Sequence, residues 1–115
     1  MRLNDFKISE NFNLREFQCP CCHTVMLHGR LLAALQRLRE TLSRPVVITS
    51  GYRCAAHNKA VGGVKNSLHM KGLAADIAAD GAVMDHLREL AHDAGLSRVI
   101  IYPARSFAHL EISDD

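Results

Sequence analysis

Residues 67–77 read Ser-Leu-His-Met-Lys-Gly-Leu-Ala-Ala-Asp-Ile, and the rest of the fold can be built outward from them. After Gly72, apolar residues alternate with a second series that contains Asp76, which is the two-residue period of a β-strand whose faces differ. If the chain turns near Gly72, His69 and Asp76 lie opposite each other on paired strands, with Cβ atoms about 5 Å apart. The segment therefore predicts two side chains that can reach one metal ion.

Three elements are predicted on the amino-terminal side of this segment. Residues 13–16, Asn-Leu-Arg-Glu, have the form of a capping box for a short helix. Over residues 28–43, leucines recur at helical spacing with Arg or Glu on the other face, which indicates an amphipathic helix that Pro45 ends. The β-branched stretch 46–49, which lies between Pro45 and Gly51, predicts a buried strand.

A second helix and two strands are predicted on the carboxy-terminal side. Apolar residues between 83 and 94 share one helical face before Gly95, and strands follow at 99–102 and 107–112. His109 lies in the last strand and can supply a third ligand. The sum is an α+β fold in which a small, mostly antiparallel sheet carries the metal site and packs against two main helices. We expect a single domain over residues 1–115 with an irregular segment at 1–12.

Composition excludes several classes of protein. The chain has 115 residues, 48% of them apolar, which suffices for one core without a partner chain, so we expect a monomer. A net charge of +2 without a dense basic cluster argues against nucleic-acid binding. No apolar run is long enough to span a membrane or resembles a signal peptide, so we expect synthesis in the cytoplasm.

The residue types at the predicted metal site favour zinc. Two neutral imidazoles, from His69 and His109, and the carboxylate of Asp76 form a donor set that suits Zn²⁺. Three protein ligands leave one tetrahedral position open, which is typical of catalytic rather than structural zinc. The spacing alone leaves core or surface roles open for the same histidines.

Four segments in fixed order resemble a known family. They are SGYR at 50–53, NKAVGG at 58–63, SLHMKGLAADI at 67–77 and IYPARSFAHLEI at 101–112. Together they resemble the D-alanyl-D-alanine zinc metallopeptidases, the murein carboxypeptidases and endopeptidases that share a fold with lysostaphin-type peptidases and the hedgehog domain. The resemblance runs from about Phe12 to Ile112.

This resemblance implies roles for particular residues. His69, Asp76 and His109 match the family's zinc ligands, and Arg53 matches its substrate arginine, which pairs with a substrate carboxylate or the developing oxyanion. A structural salt bridge is the alternative for Arg53. Ser67 either binds substrate or orients its loop.

The general base is the point at which the sequence departs from the family. Many relatives carry an acidic residue three positions before the last zinc histidine, where this chain has Ser106. Glu111 shares a strand face with His109, so it is either the catalytic base or a group that orients the ligand. His57 is a further candidate for the base.

The cysteines offer a second set of ligands. Cys19, Cys22, Cys54 and His57 have the composition of a Cys₃His structural zinc site. A disulfide between the Cys-Pro-Cys-Cys turn and Cys54, or free thiols, are the alternatives. One catalytic Zn²⁺ is expected and a second, structural ion is the less favoured reading.

The predicted function is zinc-dependent hydrolysis of stem or cross-link peptides of peptidoglycan, next to a D-amino acid. The alternative is a non-catalytic zinc-binding protein of the cell wall or of a phage particle with the same fold. Without a signal peptide, three settings fit: an endolysin released by a phage holin, a virion component, or a cytosolic enzyme of recycled wall peptides.

Overall fold

A computed structural model describes residues 3–113 of the chain. Four antiparallel strands form one sheet in the order β1-β2-β4-β3, where β1 is Ile48–Ser50, β2 is Ala74–Ala78, β3 is Arg98–Tyr102 and β4 is Phe107–Glu111. The helices are α1 (Gly29–Leu42), α2 (Ala55–Ala60) and α3 (Gly81–Asp93). Short 3₁₀ turns occupy Leu14–Phe17, Leu68–Lys71 and Pro103–Arg105. The predicted α+β class, with an antiparallel sheet and two main helices, is confirmed.

The two long helices begin at side-chain caps and bury one face each. The His28 ring accepts a hydrogen bond from the Arg30 backbone N–H at the start of α1, and Asp80 accepts one from Val83 at the start of α3. These bonds satisfy backbone donors that a first helical turn leaves unpaired. Helix α1 contacts α3, and α3 contacts β3. Within residues 3–113, no helix has the length and apolar character that a membrane crossing requires.

One face of the sheet packs into the hydrophobic core, and the other, called the polar face here, carries Asp76 and His109. Ala75 and Ile77 of β2 and Ala108 and Leu110 of β4 are buried in the hydrophobic core. The alternate positions point to the other face because successive side chains of a strand alternate. Asp76 and His109 are directly paired in the register of β2 and β4. The pleat therefore places both on the same face at adjacent positions.

Three local predictions differ from the structure. His69 lies in the 3₁₀ turn Leu68–Lys71 and not on a strand paired with β2, which pairs instead with β1 and β4. Strand β1 begins at Ile48 rather than at residue 46. Helix α2 was not predicted, because its six residues are too few to show a helical period.

Gly72 ends the turn that carries His69. Its φ of +72° is left-handed, and a Cβ atom there would lie 2.6 Å from the Met26 carbonyl oxygen. The Gly72 carbonyl in turn accepts a hydrogen bond from the His28 backbone N–H (2.9 Å). Glycine is therefore required where the 3₁₀ turn passes the amino-terminal end of α1.

Candidate metal centre

Three side chains converge on one point of the polar face of the sheet. Asp76 Oδ1 lies 2.9 Å from His109 Nδ1 and 3.2 Å from His69 Nε2, and the two ring nitrogens are 3.3 Å apart. His69 is 2% exposed and Asp76 7%. The structure therefore brings together the three ligands expected from the sequence, although His69 arrives from a turn rather than from a strand.

The loop after β1 fixes the His69 ring. Its Nδ1 lies 2.8 Å from the Gly51 carbonyl oxygen, so the Nδ1–H donates there and Nε2 keeps its lone pair. Gly51 must approach the chain closely, because a Cβ atom at this residue would lie 2.6 Å from the Phe17 Cα. The Gly51 carbonyl had no signal in the sequence beyond its place in the segment SGYR.

Glu111 fixes the second ring. His109 Nε2 lies 2.8 Å from Glu111 Oε1, on the side of the ring opposite Nδ1. The Nε2–H therefore donates to the carboxylate, and the Nδ1 lone pair faces His69 and Asp76. A carboxylate behind a metal-binding histidine orients the ring and strengthens it as a ligand. This geometry favours the orienting role of Glu111 over the role of base.

The electrostatics of the cluster favour a cation. Burial alone would raise the pKa of Asp76, but hydrogen bonds and charge from His109 and His69 lower it from 3.8 to about 2. Burial alone would lower the pKa of His109, but hydrogen bonds and charge from Asp76 and Glu111 raise it above 6.5. Two carboxylates thus attract positive charge to His109, where a proton and a metal ion compete for Nδ1.

The donor geometry fits zinc. Tetrahedral bonds of about 2.0–2.1 Å separate nitrogen or oxygen ligands by about 3.3 Å, close to the separations of the three atoms here. With both tautomers fixed, two nitrogen lone pairs and one carboxylate oxygen face each other at 2.9–3.3 Å. Such lone pairs repel unless a cation or proton lies between them. The residues present therefore suit Zn²⁺.

Arg53 lies against the outer oxygen of Asp76. Its Nη2 is 3.2 Å from Asp76 Oδ2, its Nε donates to Ser50 Oγ (3.1 Å) and its Nη1 to Asn58 Oδ1 (3.4 Å). The structural salt bridge, which is the alternative role of Arg53 in the sequence analysis, is thus present. A guanidinium has five N–H donors, so two remain for a substrate once these three contacts within the described chain are counted.

Asn58 was missed by sequence reasoning. It is 4% exposed, and its Nδ2 donates to the Val64 carbonyl (2.8 Å) while its oxygen accepts from Arg53. The segment NKAVGG that contains it was recognised, but the pairing with Arg53 depends on α2, which the sequence did not reveal. Ser67 orients the turn: its hydroxyl accepts a hydrogen bond from the His69 backbone N–H (3.2 Å).

A cleft of about 450 Å³ opens beside the cluster. Asp76, Arg53 and Ser106 line it together with His57 and Arg105, of which Arg105 was not predicted. Thr49, Ser50, Val61 and Phe107 complete its wall. A larger depression of about 600 Å³, lined by residues of α3, β3 and the connection between them, contains neither the two histidines nor Asp76. Of these two cavities, the smaller cleft is the one that Asp76 and Arg53 line.

The cysteines form a group whose fourth member differs from the prediction. Cys19, Cys22 and Cys54 lie together, but Cys21 completes the group where the sequence suggested His57. A tight turn, closed by the His23 N–H to the Cys19 carbonyl (2.8 Å), folds Cys21 back towards Cys54, whereas His57 lines the cleft. No two of the four sulfurs are bonded to each other in the structure, and the disulfide and the free thiols both stay predictions.

The chain is similar in sequence to known proteins. A curated relative, the zinc D-Ala-D-Ala carboxypeptidase of Streptomyces albus G, is 33% identical over 67 residues, which are 57% of this chain and 26% of that protein. The match thus spans about a quarter of the relative's length. The family model of Peptidase M15 matches residues 8–111. This match confirms the resemblance drawn from the ordered segments, and the chain belongs to the Peptidase M15 family.

Proposed function

We propose that the protein is a zinc-dependent peptidase that removes the terminal residue of a peptidoglycan stem peptide, at a bond next to a D-amino acid. One observation carries the proposal: His69 Nε2, His109 Nδ1 and an oxygen of Asp76 converge beside a cleft that two arginines line. His69, Asp76 and His109 would hold the ion. Bound there, Zn²⁺ supplies a Lewis acid that polarises a carbonyl and activates water.

The arginines suit a substrate with a free carboxylate. Arg53 and Arg105 both line the cleft, and Arg53 is held rigidly by Asp76, Ser50 and Asn58. A guanidinium pairs with a carboxylate through two parallel hydrogen bonds. This favours a carboxypeptidase, which grips the end of its substrate, over an endopeptidase. The name of the Streptomyces relative, a D-Ala-D-Ala carboxypeptidase, supports the same substrate class.

His57 is the best-placed proton acceptor. It lines the cleft, whereas Glu111 lies behind the His109 ring and Ser106 has only a hydroxyl. A neutral imidazole has a ring nitrogen whose lone pair can accept a proton, and it is a commoner general base than a serine hydroxyl. We therefore assign the base to His57, the orientation of His109 to Glu111, and the binding of the substrate carboxylate or the oxyanion to Arg53.

The test is release of D-alanine from a synthetic stem peptide that ends in D-Ala-D-Ala. Zinc-loaded wild type should release D-alanine and His109→Ala should not, while His86→Ala, which changes an exposed histidine of α3, should keep full activity. His57→Ala should lower kcat by about 10²- to 10⁴-fold if it is the base. Activity that persists in His109→Ala would overturn the assignment of the site.

The alternative is a zinc-binding protein without hydrolytic activity. Ser106, at the position where relatives carry an acidic residue, favours it. In that case the wild type binds one zinc ion at the three ligands, binds the stem peptide, and leaves it intact in mass spectrometry after long incubation. Loss of peptide binding in Arg53→Ala would then still identify the cleft as the binding site.

A further inference from the structure

Four thiols form a second cluster away from the His69, Asp76 and His109 ligands. The Sγ atoms of Cys19, Cys21 and Cys54 make a triangle with sides of 3.6, 3.6 and 3.2 Å. The Sγ of Cys22 lies within 4.8 Å of the other three. Sulfur ligands on tetrahedral bonds of about 2.3 Å are separated by about 3.8 Å. Three of the six sulfur–sulfur separations are therefore about 0.2–0.6 Å shorter than zinc ligation needs, and the three that involve Cys22 lie within 4.8 Å.

The surroundings of two of these sulfurs suit a metal-bound thiolate. Cys19 is fully buried, and its Sγ contacts those of Cys21 and Cys54. Cys54 caps α2, and its sulfur accepts the His57 backbone N–H at 3.4 Å. Backbone N–H donors around a sulfur stabilise the thiolate that a metal requires. Four neighbouring thiolates would repel one another. A cation at their centre would remove this repulsion.

We propose that Cys19, Cys21, Cys22 and Cys54 bind a second, structural Zn²⁺. Each thiol loses its proton to solvent as a sulfur–zinc bond forms, and no electron is transferred. Four protein ligands leave no open position, so this ion is not catalytic. The proposal does not depend on the proposed peptidase activity.

The position of the cluster indicates the structural role of the proposed ion. Cys54 directly follows Arg53, and the same loop contributes the Gly51 carbonyl that orients His69. The Arg53 backbone N–H also donates to the His69 carbonyl (3.2 Å). A zinc ion that joins Cys54 to the turn at 19–22 therefore holds the loop that positions both Arg53 and His69.

Zinc content by native mass spectrometry, in a reducing buffer, tests the proposal. Wild type should carry two zinc ions per chain, the double variant His69→Ala/His109→Ala one, and Cys21→Ser one. Cys21 is exposed, so its replacement should leave the fold intact. His57→Ala should keep two ions, which separates the four-thiol set from a set that includes His57.

Replacement of zinc by cobalt tests the proposal even if a cysteine variant does not fold. The double variant His69→Ala/His109→Ala, loaded with Co²⁺, should show the intense sulfur-to-cobalt charge-transfer bands and visible bands of a tetrahedral tetrathiolate. The proposal would be overturned if the double variant bound no metal. It would also be overturned if the protein contained iron in place of zinc at the four cysteines. Intact mass spectrometry of protein purified without reductant gives a further check. If that protein lacks the second ion and is two hydrogens lighter than the reduced chain, the cluster forms a disulfide instead.

Discussion

His69 and His109 present different ring nitrogens to the same point, and each is selected by a hydrogen bond on the far side of its ring. Gly51 selects Nε2 of His69, and Glu111 selects Nδ1 of His109. The ordered segments predict His69, Asp76 and His109 as the three ligands, and the strand period places Glu111 on the same face as His109. The sequence could not reveal the Gly51 carbonyl, Asn58 or Arg105, because contacts between loops leave no spacing pattern.

Replacement of Glu111 distinguishes an orienting group from a base. Glu111→Ala should weaken zinc binding by about 10- to 100-fold, because the His109 ring loses the partner that fixes its tautomer. Glu111→Gln, whose amide oxygen can still accept the hydrogen bond, should weaken it less. Competition with a chromophoric chelator measures both, with Glu89→Gln on the exposed face of α3 as the control. If Glu111→Ala keeps its zinc affinity but has a greatly reduced kcat, Glu111 is the base.

The zinc-free protein should show a pH dependence with a definite sign. The pKa of Asp76 is lowered from 3.8 to about 2, so its contribution to stability is complete above pH 3.8 and is lost as the pH falls towards 2. The pKa of His109 is raised, so its contribution is complete below pH 6.5 and is lost as the pH rises through the folded value. The cluster should therefore stabilise the zinc-free fold most between these limits.

Urea unfolding of zinc-free wild type and zinc-free His109→Gln measures this effect. The difference in their free energies of unfolding should shrink as the pH rises from mildly acidic to alkaline values. Zinc displaces the proton from His109, so zinc affinity should change in the opposite direction and rise with pH. A difference that stays constant over this range would show that His109 does not titrate as the contacts require.

At the scale of elements, the sequence predicted α1, α3 and three of the four strands near their observed positions. Their leucine spacing and two-residue alternation are long enough to be recognised. The 3₁₀ turn Leu68–Lys71 was mistaken for a strand, because four residues before a glycine fit either structure. Helix α2 was not predicted because it is also short. The contact between Arg53 and Asn58 was therefore not predicted either.

The turn that carries His69 depends on Gly72. Gly72→Ala should destabilise the fold more than Gly62→Ala, although both glycines have nearly the same φ, +72° and +74°. At Gly62 no atom lies within 4 Å of an added Cβ, so the cost is the left-handed backbone alone, about 1–2 kcal/mol. At Gly72 the overlap with the Met26 carbonyl adds about 1–3 kcal/mol. Urea unfolding of both variants measures this, and equal losses would contradict the close approach.

At the scale of the whole molecule, residues distant in the chain meet at both clusters. The strand order β1-β2-β4-β3 and the meeting of Cys54 with the turn at 19–22 depend on long-range packing, which sequence periodicity does not encode. The class of the fold followed from local patterns, whereas the order of the strands did not. The grouping of His69, Asp76 and His109 was predicted mainly because the family segments occur in order.

Zinc should stabilise the whole fold by mass action. At a free zinc concentration about 100 times the dissociation constant, one site adds about 2.7 kcal/mol to the free energy of unfolding. Urea unfolding in zinc-buffered solution should show this gain in wild type and a smaller gain in His69→Ala/His109→Ala. Magnesium, which prefers oxygen ligands, should give no comparable gain. Equal gains in the two proteins would mean that His69 and His109 do not bind the ion.

One ion should bind between His69 Nε2, His109 Nδ1 and the Asp76 carboxylate, and anomalous X-ray diffraction at the zinc edge locates it. Crystals of the zinc-loaded protein should show an anomalous peak bonded to these three ligands, with Gly51 and Glu111 still hydrogen-bonded to the far sides of the two rings. No peak at that point, or a zinc ion bound through His109 Nε2, would contradict the account.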